Sequence, residues 1–146
     1  MKIRNTVLLA GFAMTAALSV GTAVPAFAQT EAVATAAAVQ PQSFFKKKYN
    51  IKGSWSLVQR DGKTFVKFSD DFKTKNGPDL KILLSPKSAE AVNGKNAVEG
   101  SINLGELKSK KGAQEYEIPA GTDLSQFSTV LIHCEAFSVL WGGGAL

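Results

Sequence analysis

From about residue 49 onward the apolar positions recur every second residue instead of every third or fourth, and that alternation is the signature of half-buried strands. Residues 53–59 and 63–69 flank Asp61-Gly62, a dipeptide that supplies the positive φ angles of a tight hairpin turn. Asn76-Gly77-Pro78-Asp79 predicts a second turn, with Gly77 at positive φ and the ring of Pro78 fixing its own φ. Further strands are expected at 80–85, 97–104, 114–118, 129–134 and 137–141, separated by Asn93-Gly94, by 108–112 and by 121–123. No helix is predicted beyond the N-terminal region. Short strands at this near-regular spacing predict an all-β fold, an antiparallel β-sandwich or flattened barrel of about seven to ten strands.

The densest apolar pattern of that region lies at 128–146, which also holds the only histidine and the only cysteine. Alternation places Val130, Ile132 and Cys134 on one face and Leu131, His133 and Glu135 on the other, so His133 looks away from Cys134. A strand running straight to Trp141 would put Phe137, Val139 and Trp141 on the His133/Glu135 face. One extra residue near Glu135 and Ala136, as a bulge or tight turn, would bring Val130, Ile132, Phe137, Val139, Trp141 and Cys134 into one interior.

The N-terminal pattern is of another kind. Residues 1–28 combine a basic start at Lys2 and Arg4, an apolar run and Ala26-Phe27-Ala28, which reads as a signal peptide cleaved after Ala28. The apolar run is shorter than the roughly 20 residues of a membrane span, and no later stretch is longer, so no transmembrane segment is expected after cleavage. The product is expected to be secreted or periplasmic. Residues 29–48 read as an Ala-rich flexible linker with residues 29–43 unpacked, ending in Phe44-Phe45 and three lysines that form a solvated edge. The domain proper is then 49–146. The formal charge of +5 falls when Lys2 and Arg4 leave, too little to argue for nucleic acid. A single cysteine excludes an internal disulfide, so burial must stabilise the domain.

Spaced motifs carry a family resemblance across about residues 50–146. Asp71-Phe72, Asn76-Gly77-Pro78-Asp79-Leu80 and Leu83-Leu84 are followed by Asn103-Leu104-Gly105 and Leu107-Lys108. Gly112-x-Gln114-x-Tyr116-x-Ile118-Pro119, Val130-x-Ile132-x-Cys134-x-x-Phe137 and a Gly-Ala-Leu ending complete the order. Together they resemble the DM-thirteen domain. The resemblance implies a secreted or surface β domain, found alone or joined to haem-binding modules. It implies participation in electron transfer through a cysteine that serves as free thiol or as ligand to a haem-like group, matched here by Cys134. His133 stands where the family more often has tryptophan.

Elementary chemistry narrows what Cys134 can do. Blue copper, zinc and iron–sulfur sites need more His or Cys ligands than one such chain supplies after its leader. A thiolate nucleophile needs a neighbouring base, and His133 faces away, so the chain is not expected to be an enzyme with its own catalytic constellation. Haem is the cofactor that the resemblance brings in, with Cys134 or His133 as a single axial ligand and Phe137, Trp141 or Trp55 as pocket walls. Asp70, Asp71, Asp79 and Asp123 could offer oxygens to calcium, but turn capping is the simpler role. Glu106, Glu115 and Glu117 read as solvent-face residues, and the lysines of 108–111 as a solvated turn. Trp55 and Trp141 read as core in preference to a sugar platform. Two functions stay open: a redox-associated accessory domain centred on Cys134, with a redox protein or small ligand as partner, and a non-catalytic extracellular ligand-binding or adhesion module in which Cys134 is only core.

Overall fold

A computed structural model describes residues 40–146. The expected signal peptide and residues 29–39 of the expected linker lie outside the described residues. The strands are β1 (Gln42–Ser43), β2 (Phe45–Lys46), β3 (Ser54–Arg60), β4 (Lys63–Phe68) and β5 (Leu80–Ser85). They continue with β6 (Ile102–Glu106), β7 (Gln114–Ile118), β8 (Thr129–Cys134) and β9 (Val139–Ala145). One 3₁₀ turn, Leu124–Gln126, precedes β8, and Asp123 caps it by accepting from the Ser125 amide.

These strands build two antiparallel sheets that do not close into a barrel, which resolves the choice between sandwich and barrel in favour of the sandwich. The four-stranded sheet runs β1-β3-β4-β7 and the five-stranded sheet β2-β9-β8-β5-β6. The β3–β4 hairpin turns at Asp61 and Gly62, with φ of 53° and 73°, as the dipeptide predicts. Trp55, Val66, Phe68, Tyr116 and Ile118 of the first sheet meet Leu80, Ile82, Leu84, Val130, Ile132, Cys134 and Trp141 of the second in the main core.

The second sheet is covered on its other face as well. Residues 86–101 pack Val92 and Ala97 over Leu83, Leu131 and Leu140. Every residue of β8 is therefore buried, which accounts for its near-continuous apolar run. The covering segment also corrects the strand expected at 97–104. Residues 97–100 form turns, Ala97 points into the outer cluster, and pairing with β5 begins only at Ile102.

The linker boundary needs correction too. β1 pairs with β3 in one sheet and β2 pairs with β9 in the other, so residues expected to be unpacked step from sheet to sheet across the sandwich. The physical reason is Phe44, the residue between them. Its ring meets Phe68 edge-on at 5.2 Å and Phe72 at 5.7 Å, and such aromatic burial outweighs the ordering of a few residues.

Candidate functional site at the end of the central hairpin

Cys134 is the last residue of β8, held between Leu80 of β5 and Val139 of β9. The chain reverses through residues 135–138, where the Ser138 amide donates to the Glu135 carbonyl and Ser138 takes φ of 50°. The Glu135 amide donates to the Asp79 carbonyl at 3.0 Å, which ties this reversal to the Asn76-Gly77-Pro78-Asp79 turn. In that turn the positive φ falls on Asp79, at 49°, and not on Gly77 as expected. Gly77 is needed for a different reason: a Cβ there would lie 2.5 Å from Cζ2 of Trp141.

The extra residue sought near Glu135 is found on the other strand. Ile132 faces Gly142 and His133 faces Leu140, so the bulge consists of Trp141. It turns Trp141 into the main core while Leu140 faces the outer cluster. Val139 packs against the same core as Val130, Ile132 and Cys134. Phe137 does not join them: it stands at the tip of the reversal and is 69% exposed.

Tyr49, Asn76, Gly77, Pro78, Cys134, Phe137, Val139 and Trp141 surround a cavity of about 160 Å³. The Cys134 thiol donates to the Pro78 carbonyl at 3.1 Å, and the residue is 2% exposed. Trp141 meets Tyr49 at 4.7 Å, and its carbonyl accepts from the amides of Lys47, Lys48 and Tyr49. The segment after β2 is thereby wrapped around one wall of the cavity. Tyr49 and the Asn76-Gly77-Pro78 backbone are the parts of this site that strand alternation did not indicate, because both come from loops brought there by pairing of distant strands.

His133 belongs to a different place. As alternation predicts, it faces the opposite side of β8, where it lines a second cavity of about 200 Å³ with Lys81, Leu83, Val98, Ser101, Asn103 and Glu135. It is 2% exposed, and its Nδ1 has no hydrogen-bond partner. Burial holds its pKa below the usual imidazole value, against the opposing pull of Glu135 and then Asp79. Cys134 and His133 thus share neither a hydrogen bond nor a cavity. His133 is not the base that would activate this thiol, and the two do not form one ligand pair.

The haem expectation can be tested on these dimensions. Pockets that hold ligands of drug or cofactor size run to roughly 300–1,000 Å³, well above either cavity. With Sγ directed to a backbone carbonyl and His133 Nδ1 enclosed, the donors present do not fit a porphyrin. Among the described residues no group of three or more His, Cys, Asp and Glu side chains could hold a metal ion. Trp55, the other proposed wall, lies in the core against Gly144, away from the Cys134 cavity.

A family model described as Electron transfer DM13 matches residues 43–145. The chain belongs to the DM13 electron-transfer family. That match covers both sheets from the second residue of β1 to the last of β9, and it makes the protein a redox-associated domain. No curated protein and no solved structure matches the chain.

Proposed function

We propose that this DM13 domain is an exported accessory domain that exchanges electrons through the Cys134 thiol. The observation that supports this reading is the position of Cys134: the chain's single thiol lines a cavity at the end of the central hairpin, under a wall built from loops. A cavity of about 160 Å³ admits small oxidants and excludes a porphyrin or a bulky disulfide. A peroxide is the simplest such oxidant. Sγ forms a bond to one peroxide oxygen, the O–O bond breaks, and the other oxygen takes up the thiol proton and leaves as water, so that Cys134 is left as the sulfenic acid. Two thiols of the partner protein would then reduce Cys134, once Phe137 and the turn at 76–79 are displaced: the first condenses with the sulfenic acid, releasing water, to form a mixed disulfide, and the second attacks that bond, leaving Cys134 as the thiol and a disulfide on the partner.

The test is native-state labelling with a small neutral thiol reagent and with hydrogen peroxide, using Cys134→Ser as the blank. Modification of the folded protein at neutral pH is the expected result. A competing reading, a binding module without redox chemistry, draws on the 2% exposure of Cys134 and its bond to Pro78. It becomes the better one if the thiol reacts only after denaturation.

A further inference from the structure

In the stretches between β2 and β3, between β4 and β5 and between β6 and β7 the chain makes two single-residue bridges that belong to no named strand: Lys52 pairs with Lys73, and Lys73 pairs with Lys111. Lys52 and Lys73 exchange both backbone hydrogen bonds, at 2.9 and 3.2 Å. Lys73 and Lys111 sit between the flanking bonds Thr74 to Lys110 and Gly112 to Phe72, the arrangement in which facing side chains come closest. The neighbours Ile51, Phe72 and Thr74 are buried, so the three lysines share the outward face and all are exposed.

Like charges directly opposite one another cost stability, and where the β3–β4 hairpin also sets Arg60 opposite Lys63, each of those two has a carboxylate beside it. Arg60 and Lys67 meet Glu115, Lys63 meets Glu117, Lys81 meets Asp79 and Glu106, and Lys87 meets Glu99. Among the described residues no carboxylate lies within ion-pair distance of Lys52, Lys73 or Lys111, although Asp70 and Asp71 are close in sequence. The row is also held in place. Gln114 accepts from the Ser109 amide and from the Tyr116 hydroxyl and donates to the Ser109 carbonyl, which fixes the 108–111 loop beside Lys73.

Lys75 extends the row toward the thiol. It lies two residues beyond Lys73, its ammonium is 5.2 Å from the Tyr49 ring centroid, and Asn76 and Gly77, which follow it, line the Cys134 cavity together with Tyr49. We propose that Lys111, Lys73, Lys52 and Lys75 form the docking surface for an acidic protein, which the lysines orient over the Cys134 cavity. The assignment rests on the redox reading given above, since a thiol that exchanges electrons must meet a partner. Adjacent strands are about 4.8 Å apart, so the row is roughly 10 Å wide, the size of a cluster of a few carboxylates and not of an extended phosphate track. Transient redox encounters of this kind are small and steered by charge, weak enough to release the partner after each exchange.

The experiment uses the full chain, isotope-labelled, and an oligo-glutamate peptide as probe. Amide shifts should cluster at Lys52, Lys73, Lys75 and Lys111, and binding should weaken on the order of tenfold between low and physiological salt. The triple variant Lys52→Gln/Lys73→Gln/Lys111→Gln should lose that binding while unfolding no earlier than wild type, because it removes the repulsion. Lys63→Gln, which removes a lysine already paired with Glu117, should bind as wild type. Shifts spread evenly over all lysines, or a triple variant that still binds, would overturn the proposal. Tighter binding to duplex DNA or to phosphatidylserine vesicles than to the peptide would overturn the class of partner. Cys134 labelling is read separately: an inert thiol with localised docking sinks the redox reading alone, and a reactive thiol without localised docking sinks this one.

Discussion

At Gly77 a single missing methyl group decides the shape of the candidate site. The turn does not use the left-handed freedom of glycine here; it uses the absence of Cβ, because the Trp141 ring occupies that space. Gly77→Ala should therefore lower stability by roughly 1–3 kcal/mol, as overpacking does, and change the near-ultraviolet dichroism of Trp141. An unchanged urea midpoint would show that the turn yields freely. His133 makes a second prediction at this scale. Its folded-state pKa is lowered by burial from the usual value of about 6.5, so in the window between the two values the unfolded chain binds more protons. Stability should rise with pH through that window and level off above it. Denaturation midpoints measured between about pH 5 and about pH 8 should show this slope, and His133→Gln should flatten it.

Among the elements, β8 and β9 show how much of the site the sequence made legible. Alternation assigned the residues from Val130 to Cys134 to their correct faces, since side chains in a paired strand have no other choice. The same rule could not show that the outer face is covered, because Val92 and Ala97 reach it from a segment far away in sequence. Of the bulge or tight turn expected near Glu135 and Ala136 the turn is there, at 135–138, whereas the bulge lies on β9 and the last strand runs past its expected end at 141. Three glycines, which carry no periodic signal, continue β9 to Ala145, where a side chain at Gly144 would collide with the Trp55 indole. Gly144→Ala should accordingly be among the most damaging changes, leaving little folded protein, whereas Gly62→Ala meets open space and should cost only about 1 kcal/mol for its positive φ. Expression of soluble protein and thermal melts separate the two. If both variants melt alike, the close packing of β9 on β3 is wrong.

For the molecule as a whole, the segment at 41–46 matters more than its length suggests. It contributes one strand to each sheet and places Phe44 against Phe68 and Phe72 between them. Phe44→Ala should cost roughly 2 kcal/mol or more, and a chain beginning after Lys46 should melt well below the full domain. Equal melting temperatures would return the segment to the status of a linker. The pairing of β2 with β9 has a further consequence, in the order of events during synthesis. β2, among the first strands of the domain to be made, must wait for the last one, and the β4–β7 and β5–β8 pairings also join residues far apart in sequence, which makes folding slow compared with helical domains. A nascent chain of this kind cannot complete its second sheet until residues 139–145 have been made, so it stays threadable throughout its own synthesis. The export proposed above would gain time from that topology, and the same closing strand then locks the fold from both ends.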